Sequence, residues 1–248
     1  MNRYRAFIIG GCVAVLAAAG AAAAGDLWYA LYEGDEHRGY CHVVDSSATI
    51  SGVVCKRTSH VTESHKDKTG KYIFKKTADR YHDANGALLL YSATTTYKGE
   101  VTKVSTAMTV RKKFKGITFI LTEKAGTKDE KVTTFEVADN TYNLLEVEEA
   151  RAKVTAPGTR VEALALDLET GKVEKTKLEY VADQTLDVAG TSVPTKVLQA
   201  KGGMGSGQWW FNADGVIVKW TASGELGKTT CVMVADAAAA TPPAAPAK

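Results

Sequence analysis

The sequence predicts a mainly β protein built on a large antiparallel sheet with one or a few helices. Two observations carry this. Runs rich in Val, Ile, Thr, Tyr and Phe recur along most of the chain, and Gly, Asn and Asp turn signals punctuate them at regular spacing. The 248 residues are 45% hydrophobic and 24% charged, the balance of an ordinary globular protein. With 31 basic against 28 acidic side chains, the net charge is only +3. That excludes an obvious polyanion-binding protein, so no nucleic-acid partner is expected.

The first element is a targeting segment. Arg3 and Arg5 precede an apolar run, Ala6 to Ala19, and then the small-residue stretch Gly20 to Gly25. A basic start, a short apolar core and an A-x-A site define a secretory signal peptide, with the cut predicted after Ala24. Residues 1–24 are therefore read as a signal, and the mature protein as periplasmic or secreted without a transmembrane segment. Ile9-Gly10-Gly11-Cys12 resembles a lipoprotein box. However, the apolar core before Cys12 is short and continues past it, so a lipid anchor on Cys12 is the lesser alternative. Processing leaves 29 basic against 28 acidic side chains, a net charge of +1.

The strands follow in order: Leu27–Tyr32, His37–Asp45, Val53–Ser64, Lys71–His82, Ala87–Tyr97, Glu100–Arg111, Ile117–Glu123 and Lys131–Val137. Asn85-Gly86 and Lys98-Gly99 between alternating runs are hairpin chemistry, because Gly accepts positive φ. Thr141–Lys153 reads as a helix, with Asn143 as a cap three residues before Glu146. Pro157-Gly158 marks the best internal seam in a single unit over residues 25–234. Further strands are predicted at Val161–Leu168, Lys172–Val181, Thr185–Val188, Thr195–Ala200, Gln208–Phe211, Val216–Thr221 and Thr229–Val234. Residues 235–248, rich in Ala and Pro, cannot bury enough apolar surface to offset ordering entropy and are predicted to be a disordered tail.

The final hairpins show how a core face arises. With Asn212-Ala213-Asp214-Gly215 as the loop, Phe211 faces Val216, Trp209 faces Val218 and Gly207 faces Trp220 on one apolar side. Trp28, Tyr32, Trp209, Phe211 and Trp220 are accordingly the candidate core or apolar-cavity residues.

Chemical motifs are few. Ala222 to Thr229 matches a loose phosphate-binding loop, but strand-like residues follow it where that mechanism needs a helix, so a hairpin turn is expected. Gly202 to Gly207 lacks the dinucleotide spacing and reads as a flexible loop in which Gly203, Gly205 and Gly207 could gate a pocket. The mature chain keeps Cys41, Cys55 and Cys231. A turn at Ser47-Ala48-Thr49 places Cys41 opposite Cys55, the predicted disulfide, worth about 3 kcal/mol on the chain-entropy model. Pairing of either with Cys231 is the alternative. As a nucleophile Cys231 would need a nearby base, and every His lies far off in sequence; a buried thiol is expected. In the same register His42 faces Val54 and His60 sits beside Glu36, on a solvated polar face. No metal-ligand or cofactor motif accompanies them.

Two stretches carry a family resemblance. Trp28-Tyr29-Ala30-Leu31-Tyr32-Glu33-Gly34 with Gly39-Tyr40 resembles the opening hairpin of uncharacterised exported bacterial β-proteins. Pro157-Gly158-Thr159, Leu166-Asp167, Thr170 to Val173, Val188 to Val193 and Trp210 to Lys219 resemble the β-rich region that precedes transglutaminase-like domains in bacterial envelope proteins. The resemblance implies a curved sheet wrapped round a helix, an incomplete β-barrel similar to the periplasmic lipoprotein-carrier fold. It implies an apolar cavity; the Cys-His-Asp set of the transglutaminase-like domain is a departure, not found in this sequence. The expected function is a non-enzymatic exported binding or carrier protein for an apolar or lipid-like ligand, with no cofactor. The alternatives are an envelope structural or protein-interaction module and a hydrolase using Cys231.

Overall fold

The computed structural model describes residues 25–65, 74–84, 86, 88–97, 100–113, 116–123, 130–138, 141–143, 153–167, 172–202, 205–224 and 227–243. The predicted signal lies outside them. Eight strands follow one another as a meander: β1 (Asp26–Glu33), β2 (Glu36–Ile50), β3 (Val53–Ser64), β4 (Phe74–His82), β5 (Leu88–Tyr97), β6 (Glu100–Lys113), β7 (Gly116–Glu123) and β8 (Lys131–Ala138). A second series comprises β9 (Thr141–Asn143), β10 (Arg160–Leu166), β11 (Val173–Val188), β12 (Thr191–Gly202), β13 (Gly205–Phe211), β14 (Ile217–Gly224) and β15 (Gly227–Val234). All belong to one sheet, in the order β8-β7-β6-β5-β4-β3-β2-β1-β15-β14-β13-β12-β11-β10-β9. Its ladders are antiparallel except β9 with β10.

This order forces curvature. Fifteen strands at about 4.8 Å spacing would span roughly 65 Å if laid flat. Yet β8 and β9, at opposite edges, are joined by residues 139 and 140 alone, a connection that reaches about 11 Å at most. The sheet therefore curls until its edges adjoin. They share no ladder, so the result is a barrel-like sheet that is not closed, in agreement with the predicted fold class.

In β1 to β5 and β10 to β15, alternate residues point to the concave side and are buried there. From β1 and β10 to β15 they form an apolar wall that includes Tyr29, Leu31, Leu178, Tyr180, Leu198, Trp209, Phe211 and Trp220. From β3 to β5 the same side carries Thr58, His60, Thr62, Ser64, Lys76, Arg80 and Thr95, all buried, beside Phe74, Ala78, Tyr91 and Ala93. The two walls join through one apolar cluster that runs from Ala78 and Tyr91 to Leu178 and Tyr180.

Two elements cover parts of the convex side. The distal half of the β11–β12 hairpin packs Val188 and Val197 with Trp210 and Val218 in a second apolar cluster. The short helix α1 (Ala237–Ala240) lies against β1, β2 and β15. It begins the stretch expected as a disordered tail, and its order has identifiable causes. Asp236 caps it by accepting from the Ala239 amide at 2.9 Å, Ala240 is fully buried, and His37 Nε2 donates to the Ala240 carbonyl at 2.9 Å. Of the expected helix over Thr141–Lys153, Thr141–Asn143 is instead strand β9 and residues 144–152 lie outside the described set.

Two expected registers are corrected. The β2–β3 hairpin turns at Ser51-Gly52, both with positive φ, which is the two-residue turn that suits strand twist. Cys41 therefore faces Thr62, Cys55 faces Ala48 and His60 faces Val43. In the β13–β14 hairpin a bulge at Trp210/Phe211 sets Trp209 opposite Trp220 and Phe211 opposite Ile217. Ile217 thereby joins the core, and Val218 turns to the convex side with Trp210.

Candidate functional site

A groove of about 500 Å³ opens where β11, β12 and the end of β13 meet. Its floor is apolar: Val154, Tyr180, Leu198 and Phe211 are members of the core cluster. Its rim is polar, with Asp183, Gln184, Thr185, Lys196 and Asn212. A bulge in β11 between Tyr180 and Ala182 builds this rim by shifting the alternation, so that Val181 turns to solvent.

The rim is held by specific bonds. Tyr180 OH donates to Asp183 Oδ1 at 2.6 Å, and Lys196 Nζ stands 5.8 Å from the centre of the Tyr180 ring. Trp210 Nε1 donates to Gln184 Oε1 at 2.7 Å, and Thr195 Oγ1 donates to the Gln184 carbonyl at 2.7 Å. Burial, the hydrogen bond to Asp183 and its charge push the Tyr180 phenol up to about 12. At neutral pH Tyr180 is thus a neutral donor, not a base.

Sequence-predicted residues fall into three groups. Trp209, Trp220 and Phe211 lie on the concave side, and Phe211 also floors the groove. Trp28 and Tyr32 lie on the convex side: Trp28 stacks on His42 with centroids 3.7 Å apart, and Tyr32 stacks on His37 at 5.0 Å. They line neither the core nor the groove, because they alternate with the inward-facing Tyr29 and Leu31. Of the glycines, Gly203 is outside the described residues and Gly205 starts β13. Gly207 serves close strand approach, since a Cβ there would stand 2.5 Å from the Thr221 carbonyl oxygen. Its cross-strand neighbours are Ala200 and Ala222, not Trp220.

The cysteines are rearranged relative to the predicted disulfide. No disulfide joins Cys41, Cys55 and Cys231, which are all buried, and Cys41 and Cys55 are not opposed. Cys41 Sγ instead lies 3.6 Å from Cys231 Sγ, across β1. Tyr29, whose phenol donates to the Ile217 carbonyl at 2.9 Å, sits beside them; burial and then the two sulfurs hold it well above the ordinary phenol range. Mild oxidation of the folded protein with diamide should couple Cys41 to Cys231 and leave Cys55 as the alkylatable thiol after unfolding. Peptide mapping that finds a Cys41–Cys55 link would contradict this geometry.

His60 is the residue that sequence reasoning misplaced. It is 1% exposed on the concave side, with Nδ1 lacking any hydrogen-bond partner. Burial, then the charges of Arg80, Lys76 and His42, holds its imidazole well below the usual range. Unfolded, His60 takes up a proton near pH 6.5; folded, it does so only at lower pH. Below about pH 6.5 the unfolded state therefore binds more protons, and stability falls with pH. In urea unfolding compared at about pH 7.5 and about pH 5.5, wild type should lose more stability than His60→Gln. Equal losses would refute the assignment. Among the described residues no cluster of His, Cys, Asp and Glu suits a metal ion.

Comparison with known proteins shows the fold alone. No family model and no curated protein matches the chain. A β-barrel-like protein of domain of unknown function DUF1849 from Brucella abortus superposes with a TM-score of 0.58 at 11% identity, over 84% of this chain and 96% of that one. The hypothetical lipoprotein YmcC from Escherichia coli aligns over 86% of this chain and 85% of its own, at 12% identity and a TM-score of 0.29.

Proposed function

We propose that this is an exported, non-enzymatic binding or carrier protein for an apolar or lipid-like ligand, taken up in the groove between β11, β12 and β13. The observation that supports it is the groove's construction. Its volume of about 500 Å³ falls in the range of small-molecule sites, and its floor is continuous with the apolar interior while a few polar groups ring the mouth. Export rests on the signal-like residues 1–24. The lipoprotein-carrier architecture that the sequence resembles is compatible with an open, curled sheet. The interaction-module alternative draws less support, because Trp210, the aromatic such a surface would present, is buried under Val188, Val197 and Val218. The hydrolase alternative is weakened by the burial of Cys231 beside Trp220 and Cys41.

Titration with the fluorescent apolar probe N-phenylnaphthylamine tests the groove. Wild type should bind it, and Thr185→Trp, which fills the mouth from an exposed rim position, should weaken binding by about tenfold, or about 1.4 kcal/mol. No binding by wild type overturns the carrier reading, and equal binding by the variant removes the ligand from this groove.

A further inference from the structure

The mouth of the groove carries charge of both signs at one place. Among the described residues that line it, only Asp183 and Lys196 are charged, and both are exposed. They stand opposite each other on the β11–β12 ladder, and Lys196 faces Phe211 on β13. The adjoining row, Tyr180, Leu198 and Trp209, belongs to the apolar core cluster. The β11 bulge creates this arrangement. Three positions apart, Tyr180 and Asp183 would alternate to opposite faces of a regular strand; the extra residue between Tyr180 and Ala182 returns Asp183 to the side of Tyr180.

An independent observation is how the two charges are engaged. Although opposed, they make no ion pair with each other. Asp183 Oδ1 accepts from the Tyr180 phenol at 2.6 Å, and Lys196 Nζ stands over the Tyr180 ring, 5.8 Å from its centre. An exposed pair is worth little, so holding the two apart costs little. It leaves a negative and a positive pole on side chains whose Cβ atoms are about 5 Å apart, within the span of one head group. An anionic head drawn to Lys196 meets Asp183 as a like charge, and a cationic head drawn to Asp183 meets Lys196. A head that carries both signs matches both poles.

We propose that the ligand is a zwitterionic amphiphile, whose anionic group meets Lys196, whose ammonium group meets Asp183, and whose chain enters the groove over Leu198 and Phe211. This rests on the carrier reading and adds the head-group chemistry to it.

The test is displacement of N-phenylnaphthylamine at low salt, where exposed charges are least screened. The competitors are three detergents with the same dodecyl chain, each kept below its micelle threshold. Dodecylphosphocholine should compete about fivefold better than dodecyl phosphate or dodecyltrimethylammonium, the scale set by exposed charge pairs. Asp183→Asn keeps an acceptor for the Tyr180 phenol and should bring dodecyl phosphate up to the zwitterion. Lys196→Met keeps the apolar stem and should do the same for dodecyltrimethylammonium. Both positions are exposed, so both variants should fold. Equal competition by all three detergents in wild type overturns the zwitterionic head and leaves the carrier reading standing. A single-charge detergent that competes best in wild type also overturns it. Failure of wild type to bind the fluorescent probe or any of the detergents overturns both readings. A zwitterion preference unchanged in both variants overturns Asp183 and Lys196 as its seat.

Discussion

Trp220→Ala should destabilise the protein by about 3–5 kcal/mol, the largest loss expected from any single truncation of this core. Trp220 is 1% exposed, lies across the ladder from Trp209 on one side and Cys231 on the other, and receives the Tyr29 ring edge-on at 4.8 Å. Its Nε1 has no partner, so the substitution breaks no hydrogen bond and the loss is one of packing. A concave wall supported by backbone ladders cannot collapse into the space left by an indole, which places the cost high in the usual range. Trp220→Phe should recover more than half of the loss. In urea titrations the midpoint should move and the slope should not; a loss below about 1 kcal/mol would mean that the wall is loosely packed there.

Gly39→Ala should cost about 3 kcal/mol, a large effect for a single added methyl. A Cβ on Gly39 would stand 1.8 Å from the Glu63 carbonyl oxygen and 2.8 Å from Ser64 Cα, both backbone. No side-chain rotation relieves that contact, so β2 and β3 must separate. The position lies next to the bulge at Leu31/Tyr32, where β1 and β2 shift register and the sheet bends. Opening it also strains the bond from the His65 amide to the Arg38 carbonyl, 2.6 Å long. Gly34→Ala is the control for inserting a methyl at a glycine, since no atom lies within 4 Å of the position; its positive φ alone should cost about 1 kcal/mol. Similar losses in both would refute steric close approach as the cause.

The sequence made the strands legible because period-two alternation and turn chemistry are local. It did not make registers legible where two turn signals compete. Ser47-Ala48-Thr49 and Ser51-Gly52 lie within one polar stretch, and only the second supplies two positive φ values. Choosing the first slid β3 along β2, moved His60 to the convex side and set Cys41 against Cys55. The Trp210/Phe211 bulge has no local signature either, and it exchanged Val218 for Ile217 in the core. α1 was missed because four alanines look featureless; its order comes from Asp236 and from His37, some two hundred residues earlier. The aromatics of β13 and β14 were found, because Trp and Phe on alternate positions state their face. The groove was not, since its rim depends on the β11 bulge and on strands that meet only after folding.

The ladder between β1 and β15 has a consequence for how the molecule assembles. Every other ladder joins strands consecutive in the chain, whereas this one pairs Trp28 with Val234 at the middle of the sheet. Two meanders can therefore zip independently from hairpins, each with low contact order, and await a single long-range closure. Until β15 arrives, β1 is an unprotected strand edge carrying Trp28 and Tyr29, the kind of surface that recruits a second chain. The slow step and the aggregation hazard should thus coincide at one seam, and a chain that stalls before Gly227 should accumulate as oligomers joined through β1.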